Sequence, residues 1–283
     1  MDGRAQLEMT LLPGGRELLA LHARELPQRD DLCGAFCGAL ALGAAGLEGS
    51  DGPLDQDAVA LAAGSVIASA REAGTLPHGE AGRRDYRLSL PLVEDPDVSG
   101  TTAAGLLQAL AQLSSGALTA IPYQGPWRAD TLAGLFDVAA SLRNPVTLVA
   151  NFATRHLWGA RASAPQLLRY LLDGELDGPE PDWDVGHFAC VFARAQGPGG
   201  SLYALADTYP SLGDRGVHLQ PQERLAAALE RRDMPAGGMI VVVFAQDADA
   251  VRAGAGALGL IEGVWDNGTV TAATTSPEKA TRA

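Results

Sequence analysis

The sequence predicts an α+β protein, because its helical patterns come first, its strand patterns follow, and the two do not alternate as parallel βαβ units would. Three observations carry that expectation. Apolar side chains at Phe36, Cys37, Leu40 and Ala41 recur at helical spacing behind Cys33. Two strand-like runs, HFACVFARA from residue 187 and SLYALADTY from residue 201, flank the turn QGPGG and read as an antiparallel pair. The run GMIVVVF at 238–244 is apolar throughout, as a buried strand is. Together they predict one domain over 1–270, helical over about 1–143 and sheet over about 144–270, with 271–283 as a flexible tail rich in Thr, Ser and Ala.

The elements follow in order. A helix spans 33–47 with one buried stripe, and an Ala-rich helix spans 57–72. A polar loop and a strand at YRLSLPLV come next, then helices at 101–114 and 130–142, each with Leu or Phe on one face. NPVTLVANF (144–152) reads as a buried strand. SAPQLLRYLLDG reads as a helix, with Pro165 in its first turn and Gly174 past its end. EPDWDVG is a loop; a helix near 221–232 and a last helix–strand pair close the ordered chain.

At 283 residues and 47% hydrophobic, the chain can bury a large core. Its net charge of -13, without a Lys/Arg cluster, argues against a nucleic-acid partner, since phosphate binding needs a basic footprint. No apolar run is long enough to span a membrane, and the N-terminus lacks a signal-peptide pattern, so the expected setting is the cytoplasm with no membrane partner. Three cysteines are too few and too odd for a disulfide scaffold and read as reduced thiols. The Gly-rich turns QGPGG and PAGGM lack the strand, helix and lysine of a phosphate loop. Cys33 and Cys37 stand at i, i+4 spacing, but no second Cys/His pair completes a zinc site, so no metal is expected.

Chemistry concentrates at Cys33. A thiol at a helix start is favoured as thiolate by unpaired N–H groups and the helix dipole, and thiolate is the reactive form. Cys37, one turn on, falls on the apolar stripe and reads as a packed hydrophobe. Gly34 allows close approach of a substrate backbone, and Gln28, five residues upstream of the thiol, is a second donor for a developing oxyanion. Of the five histidines, His22 lies in an early helical segment, His78 and His218 in polar loops, and His156 in a loop after a strand. Only His187 begins a strand, where alternation turns Cys190 away from it and into the core. If QGPGG joins two antiparallel strands, Asp207 at the end of the second meets His187 at the start of the first. The plainer readings are a structural thiol, a hydrogen-bonded strand histidine and a turn-capping carboxylate. Trp158 and Trp183 lie in loops and are named as pocket walls, with Gly186 beside the histidine.

Gln28, Cys33-Gly34, His187-Phe188 and Asp207, in that order, resemble the papain-like cysteine peptidases, in particular the branch of bacteriocin-processing, double-glycine-leader peptidases. LRNPVTLVANF also resembles the helix and Pro-Val strand ahead of the histidine in that branch. Here the Gln–Cys spacer is one residue shorter, Leu32 replaces the Asp before the cysteine, and DTY stands where DP is common. The resemblance implies a papain-like fold, a Cys33–His187–Asp207 triad with Gln28 at the oxyanion, hydrolysis of a peptide or isopeptide bond through an acyl-enzyme, and no cofactor. An acyltransferase or tailoring enzyme with the same triad, or an inactive peptide-binding protein of the same fold, are the alternatives. Residues 48–130 exceed what such a peptidase needs and read as an inserted helical lid or substrate wall. The partner class is a peptide or acyl substrate; the oligomeric state is left open.

Overall fold

The structure, a computed structural model, describes residues 7–49, 52–70 and 76–272. Its elements run β1 (Glu8–Leu11), α1 (Gly15–Glu25), α2 (Cys33–Ala44), α3 (Gln56–Ala63), β2 (Ile67–Ala68), β3 (Leu92–Val93), α4 (Ala103–Leu113), β4 (Leu118–Gln124), α5 (Ala129–Ala140), β5 (Thr147–Ala153), α6 (Ala164–Asp173), β6 (Gly186–Gln196), β7 (Ser201–Ala206), β8 (Val217–Pro221), α7 (Gln222–Glu230), β9 (Gly238–Phe244), α8 (Ala248–Ala257) and β10 (Ile261–Glu262). The architecture is α+β, built on an eight-stranded sheet ordered β10-β4-β9-β5-β6-β7-β8, with β1 added along β6. Every pairing in that sheet is antiparallel.

Alternation along β6 divides the core in two. Phe188, Cys190 and Phe192 join the cluster formed with α2, α3 and α4, whereas Ala189 and Val191 join the cluster formed with α5, α7 and α8. Helices therefore cover both sheet faces, which is why β5 and β9 read as continuous apolar runs rather than alternating ones. α2 is unusual among the helices: ten of its twelve residues are buried, because α1, α3, α4 and the sheet all pack on it.

Several expectations change here. The division at residue 143 does not hold, since β1 and β4 enter the sheet from the first half while α6, α7 and α8 follow it. β4 lies between β10 and β9, so residues 48–130 are not a separate lid; α3 and α4 instead pack on α2. The helix expected over 57–72 stops at Ala63, because Gly64 takes the left-handed conformation (φ 64°) that ends a helix. Of YRLSLPLV only Leu92 and Val93 form a strand, paired in parallel with β2. The tail expected over 271–283 lies outside the described residues beyond Ala272. No helix among the described residues is long and apolar enough to cross a membrane.

Candidate active site

Packing fixes the position of Cys33. It is the first residue of α2, preceded by Leu32, which is fully buried, and no side chain caps the helix start. The amides of Cys33 and Gly34 find no acceptor among the described residues, as first-turn N–H groups do when nothing covers them. The segment before the helix is anchored at several points. Arg29 pairs with the fully buried Asp57 at 2.6 Å, and its own N–H donates to Gln56 Oε1 at 2.6 Å. Asp30 Oδ1 accepts the Arg83 N–H, and Asp31 Oδ2 accepts the Ala68 N–H. Asp31 itself is left-handed at φ 66°, a conformation that costs a non-glycine residue about 1 kcal/mol or more and so has to be held by its surroundings.

His187 comes from the start of β6 and Asp207 from just past the end of β7. The QGPGG turn, closed by the Gly197 N–H to the Gly200 carbonyl, brings these strand ends together. His187 Nε2 lies 2.8 Å from Asp207 Oδ1 and 3.3 Å from Thr208 Oγ1. That leaves Nδ1 free of Asp207, and Cys33 lines the same cleft as the ring. Burial alone would lower it; the Asp207 carboxylate, helped by Cys33, more than offsets that and carries His187 up to about 10. Burial likewise raises the Asp207 carboxyl, but His187 and His218 reverse the effect and hold it well below its ordinary range. At neutral pH the pair is therefore an imidazolium on a carboxylate.

Aromatic rings enclose this pair. Trp183 meets the imidazole edge-on at 5.0 Å between centroids, Phe152 does so at 5.8 Å, and Tyr209 stacks at 6.4 Å. Asp207 has further partners. Its Oδ2 lies 2.9 Å from His218 Nε2, and its carbonyl lies 2.6 Å from His22 Nε2. The Trp158 N–H donates to Gln220 Oε1 and the Trp158 carbonyl accepts from Gln220 Nε2, which fixes that amide's orientation. Gln220 Nε2 then faces His218 Nδ1 at 3.0 Å as a donor, so the His218 proton sits on Nε2 and points at Asp207.

A cleft of about 590 Å³ opens over the thiol. Gln28, Cys33, Trp183, Gly186 and His187 all line it, together with Ala68, Arg84 and 96–101 from the middle segment, which thus forms a wall. Gln28 is 4% exposed, its N–H donates to the Thr208 carbonyl, and its side-chain oxygen Oε1 is buried without a donor among the described residues. Asp30, Asp31, Asp97 and Asp184 make much of the lining acidic.

Two expected site residues lie elsewhere. Trp158 is buried against Tyr170, Leu171 and Leu202, so it supports Gln220 and is not a cleft wall. Gly34 is not open to a substrate: a Cβ there would sit 3.0 Å from Thr101 and 3.3 Å from Phe188, so its bareness serves α2 packing. His218 is the chief residue that sequence reasoning missed. VHLQP forms β8 rather than a polar loop, and its alternation, which puts His218 and Gln220 on one face, was the available signal. Cys37 and Cys190 are fully buried, with the Cys190 thiol against the Cys37 carbonyl, as core thiols are. No cluster of metal-ligating side chains occurs among the described residues.

No curated protein matches the sequence. A family model, however, covers residues 12–266, and that span contains every residue of the cleft except Asn267, Gly268 and Thr269. The chain thus belongs to a family of unknown function, DUF6885.

Proposed function

We propose that this protein is a papain-like cysteine peptidase or a close acyl-transferring relative, with Cys33 as nucleophile. The observation that carries the reading is one imidazole placed between two partners: His187 gives Nε2 to Asp207, 2.8 Å away, which leaves Nδ1 for the Cys33 thiol that lines the same cleft. An imidazolium beside a thiol at an uncapped helix start favours thiolate. The thiolate attacks a carbonyl carbon, and the new oxyanion accepts from the Cys33 N–H, which has no acceptor among the described residues, and from the Gln28 Nε2 amide N–H. His187 then passes its Nδ1 proton to the leaving amine as the C–N bond breaks, leaving a thioester. Water, deprotonated by the same nitrogen, hydrolyses that thioester and restores the thiol. Trp183 and Tyr209 keep water from competing for the His187–Asp207 bond.

The test is a burst assay with activated acyl esters and thioesters, followed by intact mass. A mass increase equal to the acyl group on Cys33, absent in Cys33→Ala and in His187→Ala, is the expected result. Folded protein that forms no adduct with any acyl donor, while its thiol reacts only as slowly as free cysteine, would identify a silent binding protein of the same constellation.

A further inference from the structure

Arg231 is the residue that the triad leaves unexplained. It follows α7 in the left-handed conformation (φ 41°), a position where glycine is the usual choice. Its side chain is 4% exposed, yet it lines the cleft that holds Cys33 and His187. Among the described residues the guanidinium makes one hydrogen bond, from Nη1 to Asn151 Oδ1 at 2.8 Å, and Nε has no acceptor. No carboxylate among the described residues pairs with it; Asp233, two positions on, is taken up by Arg155 and His156 at the surface. Gly186 and Gly237 make room for it: a Cβ on the first would sit 2.8 Å from Nη2, and one on the second 2.3 Å from Cδ.

A buried guanidinium normally has a counter-charge, because desolvating it unpaired costs several kcal/mol. Here burial pulls its pKa down to about 10, so it stays charged at neutral pH. Asn151 already divides its carbonyl oxygen between Arg231 and Trp265 Nε1, and it donates its amide to the His187 carbonyl. The head group is thus tied to the histidine strand while its remaining donors stay free, a fork suited to a planar anion.

Building on the acyl-transfer reading above, we infer that Arg231 binds a carboxylate carried by the substrate next to the reacting carbonyl. Among the described residues Arg231 is the buried arginine in a lining otherwise rich in Asp30, Asp31, Asp97 and Asp184, whereas Arg84 lies exposed with Nη2 on the Ala68 carbonyl; one buried cation suits one negative charge at one place, not a polyanion.

Alkylation of Cys33 by two reagents of equal reach, iodoacetate and iodoacetamide, tests this. A thiolate without a cation nearby reacts with the neutral reagent at least as fast, because the anionic one is repelled. In the native protein iodoacetate is expected to be faster by about tenfold, roughly what one charge-assisted hydrogen bond supplies. Arg231→Gln should lower the ratio of the two rate constants about tenfold, leaving only what the His187 imidazolium supplies, and Arg231→Lys should retain part of the preference. A native ratio of one or less overturns the inference without any variant. So does a ratio that survives in Arg231→Gln, or two rates that fall in proportion, which would make Arg231 a support of the thiol itself. If iodoacetamide also fails to modify Cys33, it is the nucleophile reading that falls. Slowing of iodoacetamide labelling by N-acetylglutamate amide or by N-acetylglutamine, lost in Arg231→Gln, would tell a side-chain carboxylate from a terminal one. Slowing by neither overturns the subsite.

Discussion

His218 Nε2 stands 2.9 Å from Asp207 Oδ2, on the opposite oxygen from the one that His187 engages. The carboxylate thus engages two imidazoles, one on each oxygen, and His218 acts on Cys33 only through Asp207, as a positioning residue. Replacing His218 by Ala leaves a buried carboxylate oxygen without its donor, at a cost of about 1–3 kcal/mol. Chemical denaturation should read that loss. The alkylation rate of Cys33 should fall as well, with its pH profile displaced, while His218→Gln restores part of both. A variant with normal stability and a normal profile would show that the second imidazole carries no weight.

Stability should depend on pH through the His187–Asp207 pair. His187 is raised from an ordinary 6.5 to about 10, so its contribution is complete below 6.5 and is lost as pH climbs toward 10. Asp207 is held below its ordinary 3.8, so its contribution is present above 3.8 and is lost as pH falls further. The urea midpoint should therefore be highest at about pH 5–6 and decline on both sides. Asp207→Asn should flatten the alkaline decline. A native midpoint that rises between neutrality and pH 10 would contradict the raised imidazole.

Thiol counting separates the cysteines. Cys33 is partly exposed, whereas Cys37 and Cys190 are buried, and burial pushes the Cys37 thiol well up. Intact mass after brief iodoacetamide treatment should show one adduct in native protein, none in Cys33→Ala, and three after denaturation. Two adducts in native protein would mean that α2 opens readily.

The Arg29–Asp57 pair holds the segment that bears Gln28. Asp57 is fully buried, with Oδ2 2.6 Å from Arg29 Nη1 and Oδ1 accepting the Arg87 N–H. Asp57→Ala leaves a buried cation alone, which costs about 3–5 kcal/mol. Thermal melting should register that, and acylation of Cys33 should slow because the oxyanion donors lose their footing. Unchanged acylation in a folded variant would free Gln28 from this dependence.

How much could be read from residues alone varies with locality. α2 with Cys33 at its tip, the β6–β7 hairpin and the meeting of His187 with Asp207 were all legible, because each follows from periodicity or from one turn. β1, β4 and β8 were not: each is short or mixed in polarity, and its strand character comes from partners distant in sequence. Gly34 misled because a bare backbone looks the same whether it faces a substrate or Phe188. Arg231 gave no sign, since its place in the cleft depends on where α7 happens to end.

α2 is enclosed on nearly every side, with Phe36, Cys37, Leu40 and Leu42 sealed between helices and sheet. A thiol mounted on such a spar has no direction in which to retreat. Sliding this helix would require dismantling the interior. On the function proposed above, arming of the sulfur and completion of folding become a single event, and the rate at which Cys33 reacts serves as a gauge of whether the whole interior is intact.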